Sequence, residues 1–347
     1  MLPVIWFCIV AVMIAIYVVL DGFDLGAGIV HLGVARTENE RRAVLKSIGP
    51  VWDGNEVWLL AAGGTLYFAF PALYAASFSG FYLPLMMVLW LLILRGASVE
   101  FRSHFDNQVW KPLWDVVFCF ASGLLAIFFG AALGNVVRGV PLDSSGDFFL
   151  PLWTNWQPGP NPGILDWYTV TVGLFAFLTL AQHGALWVAY KTTDEVRARA
   201  RSVARIAWFG VALMTILVTV LSFRIQPALA ASFHSMPAGY VFPSLAMAGL
   251  LGVFLFWRKE QDLRAFLASS LFILGMLTSL VFGVFPNVLP SIGDPALSLT
   301  IQNAAAPAYG LRVGLLWFIP GIVLAVGYNT FLYRKFAGKI NLDGGGH

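Results

Sequence analysis

Charge is scarce in this chain of 347 residues: 11% are Asp, Glu, Lys or Arg, 59% are hydrophobic, and the mean hydropathy is +0.78. A soluble globular protein carries about 25% charged residues. The shortage excludes an ordinary soluble domain and predicts an all-α, polytopic membrane protein. Nucleic-acid binding is also excluded, because the few basic residues lie in short loops and form no basic surface.

Cysteine and histidine are scarce as well. Cys8 and Cys119 both fall in apolar segments, which excludes a disulfide framework or a cysteine-based metal site. Of the five histidines, His31 and His104 lie near predicted helix ends and only His183 lies well inside a predicted helix, whereas a haem-carrying subunit would place several His or Met residues at facing positions. We therefore expect no metal site in this chain and assign no cofactor-binding residue. No phosphate-binding loop or nucleophile with a base stands out either.

Nine apolar segments are long enough to cross a membrane, which takes about 20 residues. The first segment lacks a basic start and a small-residue cleavage site, so it is predicted to be a transmembrane helix and not a signal peptide. The predicted spans are 3–33, 51–70, 79–97, 114–137, 166–190, 203–223, 240–257, 264–285 and 311–333.

Basic residues are distributed unevenly between the two sets of loops. Eighteen of the 21 Lys and Arg residues follow odd-numbered spans, and Arg138, Arg224 and Arg312 are the remainder. The positive-inside rule makes the first side cytoplasmic. We therefore predict a multi-pass protein of a bacterial or archaeal cytoplasmic membrane, with its amino terminus outside and its carboxyl terminus inside. That orientation requires an odd number of spans, in agreement with nine.

Carboxylates are concentrated in the first two spans. Carboxylates are costly at membrane depth and usually serve protons, ions or substrates there. Asp21 and Asp24 are three residues apart and so share a helix face, and Asp53 and Glu56 repeat that spacing at the start of the second span. The predicted proton path consists of these four acids together with two neighbouring residues of the second span: Asp21, Asp24, Asp53, Glu56, Trp52 and Asn55.

The third span ends on the same side of the membrane with Arg95, Glu100 and Arg102, which we interpret as charge partners of these acids. Three helices would then bring acids and bases to one depth at the cytoplasmic end. Simpler interpretations stay open: Asp53 caps a helix, the two arginines anchor at the headgroups, and the acids of the first span form a structural ion pair.

Several motifs in this order resemble subunit II of the cytochrome bd-type quinol oxidases, and the first third of the chain favours the cyanide-insensitive branch. The resemblance covers nearly the whole chain. It is carried by Asp21-Gly22-Phe23-Asp24-Leu25-Gly26, Trp52-Asp53-Gly54-Asn55-Glu56-Val57-Trp58-Leu59, Phe78-Ser79-Gly80-Phe81-Tyr82-Leu83-Pro84, Arg95-Gly96, Glu100-Phe101-Arg102, His183-Gly184-Ala185, Phe285-Pro286-Asn287 and Asn303-Ala304.

The resemblance implies nine helices arranged as two four-helix bundles plus a peripheral helix. On this chain the first bundle would span 1–137 and the second 166–285, separated by an external loop at 138–165. A second external loop at 286–310 would lead to the peripheral helix and a cytoplasmic tail at 311–347.

The resemblance also implies a function. Subunit II is haem-free, and subunit I carries haems b and d and oxidises quinol while dioxygen is reduced to water. Asp53 matches the family acid at a cytoplasmic proton-uptake path, with Trp52 and Asn55 around it. Some members hold a quinone in subunit II, so a quinone is open for this chain. Small accessory subunits and membrane lipid are further expected partners.

Two other functions stay open from the residues alone. A proton-coupled secondary transporter would use the same carboxylates, but it predicts helices broken at corresponding positions in two halves. Pro84 and Pro320 do not form such a symmetric pair. A purely structural membrane subunit would use the carboxylates only to hold its helices together.

Overall fold

The computed structural model describes residues 1–340, most of which are helical. Residues 341–347, including His347 and the end of the predicted tail, lie outside the described residues. The strands β1 (Asn287–Leu289) and β2 (Leu299–Thr300) pair antiparallel. The helices are α1 (Leu2–Val34), α2 (Glu38–Ile48), α3 (Trp52–Ala69), α4 (Pro71–Gly80), α5 (Tyr82–Phe101), α6 (Trp110–Arg138), α7 (Trp167–Lys191), α8 (Asp194–Ile225), α9 (Ala228–Ser235), α10 (Val241–Arg258), α11 (Asp262–Val284) and α12 (Ala308–Lys335).

Within the described residues, eight helical segments are each long and apolar enough to cross a membrane. Helices α3 and α4 meet the same criterion only together, with a bend of 120° between them. The break falls at Phe70, because Pro71 lacks a backbone N–H and disfavours a helical conformation in the residue before it. Counting the bent pair as one span gives nine, and each predicted span contains a helix.

Three short helices, α2, α4 and α9, are absent from the sequence prediction because none contains a 20-residue apolar run. Helix α2 is amphipathic and begins with a capping box, in which the Thr37 hydroxyl accepts from the Glu40 amide and the Glu40 carboxylate accepts from the Thr37 amide. Helix α8 begins at Asp194, nine residues before its predicted start, because its first turns are charged and lie outside the apolar run.

Helix α1 lies at the centre of the fold, packed against α3, α6 and α7. Its approach to α7 depends on Gly26 and Gly184: a Cβ added to Gly184 would lie 2.1 Å from the Gly26 carbonyl carbon. Small residues permit such close helix contact in membranes. The division of the spans into two four-helix bundles, with the boundaries given above, stays a prediction.

The two ends of the helical body differ in structure. At one end, called the loop side, the segments 138–165 and 286–310 pack on each other through a bridge between Val140 and Ser291. At the other end, called the α2 side, α1 and α5 end and α3 begins. Helix α2 covers part of this end, and its Ser47 carbonyl accepts a hydrogen bond from the Trp187 indole.

Candidate functional site

A buried guanidinium gathers three carboxyl groups near the α2 side. The Arg95 nitrogens lie 2.5 and 3.0 Å from the two oxygens of Asp21, 4.0 Å from Asp24 and 3.8 Å from Glu56. Arg95, Asp21 and Asp24 are fully buried. We call this group the acid-rich cluster, and it consists of Asp21, Asp24, Asn55, Glu56 and Arg95. It joins helices α1, α3 and α5, as the sequence predicted.

Solvent exposure falls along α3 toward this cluster. Asp53, in the first turn, is exposed, whereas the Glu56 side chain, one turn further, is 23% exposed. Asp24 and Asn55 are completely buried. The Trp52 ring lies beside the cluster, with its centroid 6.0 Å from the Arg95 guanidinium carbon. The carboxyl groups thus form a series that leads from the surface into the helical body.

Asn55 links Asp24 to the last helix. Its Nδ2 donates a hydrogen bond to Asp24 Oδ2 at 2.7 Å, and its Oδ1 accepts one from the Tyr333 hydroxyl of α12 at 2.7 Å. The other oxygen of Asp24, Oδ1, is buried and has no hydrogen-bond partner among the described residues. Asp24 therefore has one oxygen held by an amide and one oxygen open to a proton.

The charges of the acid-rich cluster do not balance. Three ionised carboxylates around one guanidinium would leave an excess of two negative charges. Burying uncompensated charge is costly, so this arrangement favours a cluster that retains exchangeable protons. Its chemistry is suited to accepting and releasing protons, which membrane-embedded carboxylates commonly do.

A second buried ion network lies closer to the α2 side, and we call it the arginine-rich cluster: His31, Glu38, Arg41, Arg102 and Asp115. The Asp115 carboxylate accepts hydrogen bonds from His31 Nε2 at 2.7 Å, Arg41 Nη1 at 3.0 Å and Arg102 Nε at 2.6 Å. Arg102 also donates to Glu38 at 2.8 Å, which lowers the pKa of that partly exposed carboxyl. Both oxygens of Asp115 are therefore occupied by cationic donors or by histidine.

Two predicted charge partners do not belong with the predicted acids. Arg102 pairs with Asp115 and Glu38 because it lies seven residues beyond Arg95, which is about 10.5 Å further along α5. The Glu100 side chain is exposed and stays outside both clusters. Of the three predicted partners, only Arg95 contacts the acids of the first two spans.

The sequence prediction missed four members of the arginine-rich cluster, namely His31, Glu38, Arg41 and Asp115, and it also missed Tyr333 beside the acid-rich cluster. Asp115 fell at the predicted start of the fourth span, where a charge looks like a helix end. His31 was placed near a helix end, and it does lie near the end of α1, but its side chain is fully buried. The available signal for Asp115 was its position directly after Trp110 and Trp114 and directly before an apolar run. Nothing in the sequence links Tyr333 to Asn55.

The surface of α2 adds one pronounced electrostatic effect. Partial burial raises the pKa of Glu40, but the Thr37 and Arg36 amides and the Arg199 guanidinium outweigh that effect and lower it to about 2. Arg199 bonds the Glu40 carboxylate and also donates to the Val34 carbonyl at 2.7 Å. This contact fastens α2 and the end of α1 to α8.

His183 is held by protein groups at both ring nitrogens. Its Nε2 donates to the Val19 carbonyl at 3.0 Å, its Nδ1 lies 2.6 Å from the Ser269 hydroxyl, and its ring stacks on Phe266. No group of three or more His, Cys, Asp or Glu residues within residues 1–340 could hold a metal ion.

An apolar cavity of about 380 Å³ lies between α1, α6, α7, α8 and α11. The wall is mostly hydrophobic but includes several hydroxyl residues, Tyr17, Thr179 and Ser222 among them, and the Tyr17 hydroxyl is buried without a hydrogen-bond partner among the described residues. The cavity can therefore accommodate a largely hydrophobic molecule with a few polar atoms.

Comparison with known proteins gives one consistent result. Residues 2–336 match the family described as cytochrome bd terminal oxidase subunit II. The chain belongs to this family. It is 31% identical to the probable cytochrome oxidase subunit 2 of Haemophilus influenzae and 30% identical to the cytochrome bd-I ubiquinol oxidase subunit 2 of Escherichia coli K12, each over 98% of this chain and 95% of the relative.

A solved structure agrees with the fold. The bd oxidase of Geobacillus thermodenitrificans superimposes with a TM-score of 0.76 at 17% identity, over 96% of this chain and 98% of that chain. The cytochrome bd ubiquinol oxidase subunit 2 of Bacillus subtilis is 29% identical over 95% of both chains. The resemblance drawn from the motifs is confirmed: this multi-pass helical chain is a subunit of a quinol oxidase complex.

Proposed function

We propose that this haem-free subunit supplies the cytoplasmic proton-uptake path of a terminal oxidase that oxidises quinol and reduces dioxygen to water. Its partner, subunit I, would carry haems b and d and the redox chemistry. Protons consumed in forming water would reach that partner through the acid-rich cluster. The chain's own task is to accept, hold and pass protons, and to provide a surface on which the complex assembles.

The exposure series along α3 is the observation that carries this proposal. Asp53 is exposed, Glu56 is partly exposed, and Asp24 is buried with one unbonded carboxyl oxygen. A purely structural ion cluster would be expected to satisfy its buried oxygens. A proton path needs an exposed acceptor at one end and an unoccupied acceptor inside, and this series provides both.

The orientation of the path follows from the distribution of basic residues. The α2 side carries the loops that hold most of the Lys and Arg residues, including Arg36, Arg42 and Lys46. The positive-inside rule then places this side in the cytoplasm, with the amino terminus outside and residue 340 inside a bacterial or archaeal cytoplasmic membrane. Asp53 would accordingly face the cytoplasmic proton pool.

A quinone in this subunit is supported by the apolar cavity. The Tyr17 hydroxyl could donate to a quinone carbonyl, while the hydrophobic wall would take the ring and an isoprenoid tail. We expect Leu280→Trp, which narrows the cavity, to lower the quinone content per haem of the purified complex. Unchanged quinone content in that variant would contradict this assignment.

The two other functions receive less support. A proton-coupled transporter predicts helix breaks at corresponding positions of two halves. Within the described residues one span is broken, at Phe70 between α3 and α4. Pro320 lies inside the continuous helix α12, so it does not supply a corresponding break. Membership of an oxidase subunit family favours the oxidase. A structural role for the acids is tested by substitution.

The decisive variant is Asp53→Asn in the assembled oxidase, reconstituted in liposomes. We expect slower proton uptake and lower quinol oxidase activity, with an unchanged visible haem spectrum. Asp106→Asn is the matched control, because Asp106 is an exposed carboxylate on the same side and belongs to neither cluster. Normal uptake and activity in assembled Asp53→Asn oxidase would rule out the proposed role of Asp53.

A further inference from the structure

We propose that Tyr333 of α12 is a positioning residue for the proton path, because its hydroxyl fixes the Asn55 amide in the orientation that presents N–H to Asp24. This inference rests on the proposed proton-uptake role of the acid-rich cluster. It adds the last helix to the residues that support that cluster.

The hydrogen bonds define the orientation of the amide. A side-chain amide has a donor end and an acceptor end, and rotation by 180° exchanges them. The Tyr333 hydroxyl donates to Asn55 Oδ1 at 2.7 Å, so Nδ2 must point to Asp24 Oδ2, also at 2.7 Å. A donor at this position favours the ionised form of Asp24, whereas the rotated amide would place oxygen against oxygen.

Helix α12 buries few of its residues against the rest of the described chain. Among the described residues of this helix, Leu311 alone is buried, and it lies near the opposite end. The helix also carries unoccupied space at Gly321 and Gly327, where an added Cβ would meet nothing within 4 Å. The Tyr333 ring itself packs near Phe23 and Trp187, with ring centroids 6.4 and 6.3 Å apart, and its remaining support comes from contacts made after the helix ends.

Those contacts come from the segment 336–340, which we call the strap. The Lys339 ammonium donates to the Ala189 carbonyl at 2.8 Å and to the Thr192 carbonyl at 2.7 Å. Lys191 donates in return to the Phe336 carbonyl at 2.5 Å, and the Ile340 amide donates to the Lys191 carbonyl at 2.8 Å. The last carbonyls of a helix lack intrahelical partners, so the end of α7 is a ready acceptor for the strap.

The charged groups around Asp24 all lie on helices other than α12. Asp21 lies on α1, the same helix as Asp24, Glu56 lies on α3 and Arg95 lies on α5. The one histidine of α7, His183, donates to the Val19 carbonyl and so does not bond Asp24. Replacing Tyr333 by Phe removes one hydroxyl and leaves all of these groups in place. A change in the pH dependence of the enzyme would then reflect a change in the orientation of the Asn55 amide and not the loss of a charge.

The test is the pH profile of quinol oxidase activity of the purified complex carrying Tyr333→Phe. We expect the profile to move by roughly half a unit to one unit toward higher pH, less than the full loss of a hydrogen bond to the ionised carboxylate, because the Asn55 amide is still present but is no longer held in one orientation. The haem spectrum and the assembly of the complex should stay unchanged. Tyr328→Phe is the matched control, because Tyr328 lies on the same helix with an exposed side chain.

A second pair of variants tests the strap. Lys339→Met removes both bonds to the end of α7 and should shift the profile in the same direction, by a smaller amount. Lys335→Met removes the same charge four residues earlier, where the ammonium lies over the Phe331 and Phe336 rings, and should leave the profile unchanged. If Tyr333→Phe does not assemble, the Lys339→Met profile decides: a shift supports the role of Tyr333 and no shift overturns it.

The outcomes separate this inference from the function on which it rests. An unchanged profile in assembled Tyr333→Phe, together with slow proton uptake in Asp24→Asn, would overturn the role of Tyr333 and leave the proton path standing. Normal proton uptake in both Asp24→Asn and Asp53→Asn would overturn the proton path itself, and the inference with it.

Discussion

The two buried ion clusters use the same two helices, α1 and α5, at positions about two turns apart, yet they are built differently. The acid-rich cluster sets three carboxyls against the single guanidinium of Arg95 and leaves Asp24 Oδ1 unbonded. In the arginine-rich cluster, two carboxylates meet two guanidiniums and a histidine, and both oxygens of Asp115 are occupied.

The difference teaches that burial of charge alone does not reveal function. A balanced network in which the carboxylate oxygens are bonded has little tendency to exchange protons and mainly fixes the position of its helices. An unbalanced network with an open carboxyl oxygen can change its protonation during turnover. We therefore interpret the arginine-rich cluster as a clamp between α1, α2, α5 and α6, and the acid-rich cluster as the proton path.

The largest expected effect follows from Asp115→Ala. Removing this carboxylate leaves the buried Arg102 without its main partner, and breaking a buried ion pair costs about 3–5 kcal/mol. We expect a steep fall in the amount of assembled oxidase and in its unfolding temperature, measured through the haem absorbance.

Asp106→Ala is the control for that experiment, because the Asp106 side chain is 97% exposed and pairs only with Lys111 among the described residues. An exposed pair contributes roughly 0–1 kcal/mol, so this variant should assemble normally. Equal stability of the two variants would contradict the interpretation of the arginine-rich cluster as a clamp.

The next effect tests packing in the absence of any charge change. Gly184→Ala would force a methyl group to 2.1 Å from the Gly26 carbonyl carbon, so α1 and α7 must separate. Overpacking of this kind costs about 1–3 kcal/mol. Thermal unfolding of the complex should show the loss, whereas Gly63→Ala, with open space around its Cβ, should not.

Asp24→Asn should reverse the pattern of Asp115→Ala. The amide is nearly the same size as the carboxyl, and it relieves an excess of negative charge around Arg95. We expect normal assembly but at least about tenfold slower quinol oxidase turnover, which corresponds to about 1.4 kcal/mol in the barrier. Steady-state oxygen consumption of the purified complex checks this, and a stable variant with full activity would remove Asp24 from the path.

The smallest effect concerns pH and the surface of α2. The folded pKa of Glu40 is about 2, below its ordinary value of 4.5, so its stabilising contribution is complete above pH 4.5 and is lost as pH falls toward 2. We expect Glu40→Gln to lower stability by about 1 kcal/mol at neutral pH. Its unfolding temperature should fall less than that of the wild type between pH 5 and pH 3.

Much of the acid-rich cluster was predictable from the sequence, because a carboxylate inside a long apolar run is conspicuous. Asp21, Asp24 and Glu56 stood in apolar runs at helical spacing, and Arg95 followed at the matching depth. The long spans were predictable for the same reason, since an apolar run of 20 residues has few alternatives to a helix in a membrane.

The rest depends on distances that spacing cannot give. Arg102 lies about 10.5 Å beyond Arg95 along the helix axis, so it does not reach the acids of Arg95, and its actual partner Asp115 depends on how α6 packs against α1 and α5. The bond between Asn55 and Tyr333 joins residues 278 positions apart. The bend at Phe70 had a local cause in Pro71, but its size depends on how α3 and α4 pack.

The most direct measurement is infrared difference spectroscopy of the assembled oxidase as it is reduced, which detects carboxyl groups that change protonation. The account predicts a carboxyl signal that is lost in Asp24→Asn and retained in Glu38→Gln, which removes an ionisable group from the arginine-rich cluster. A carboxyl signal that survives Asp24→Asn and disappears in Glu38→Gln would contradict the assignment of the proton path to the acid-rich cluster.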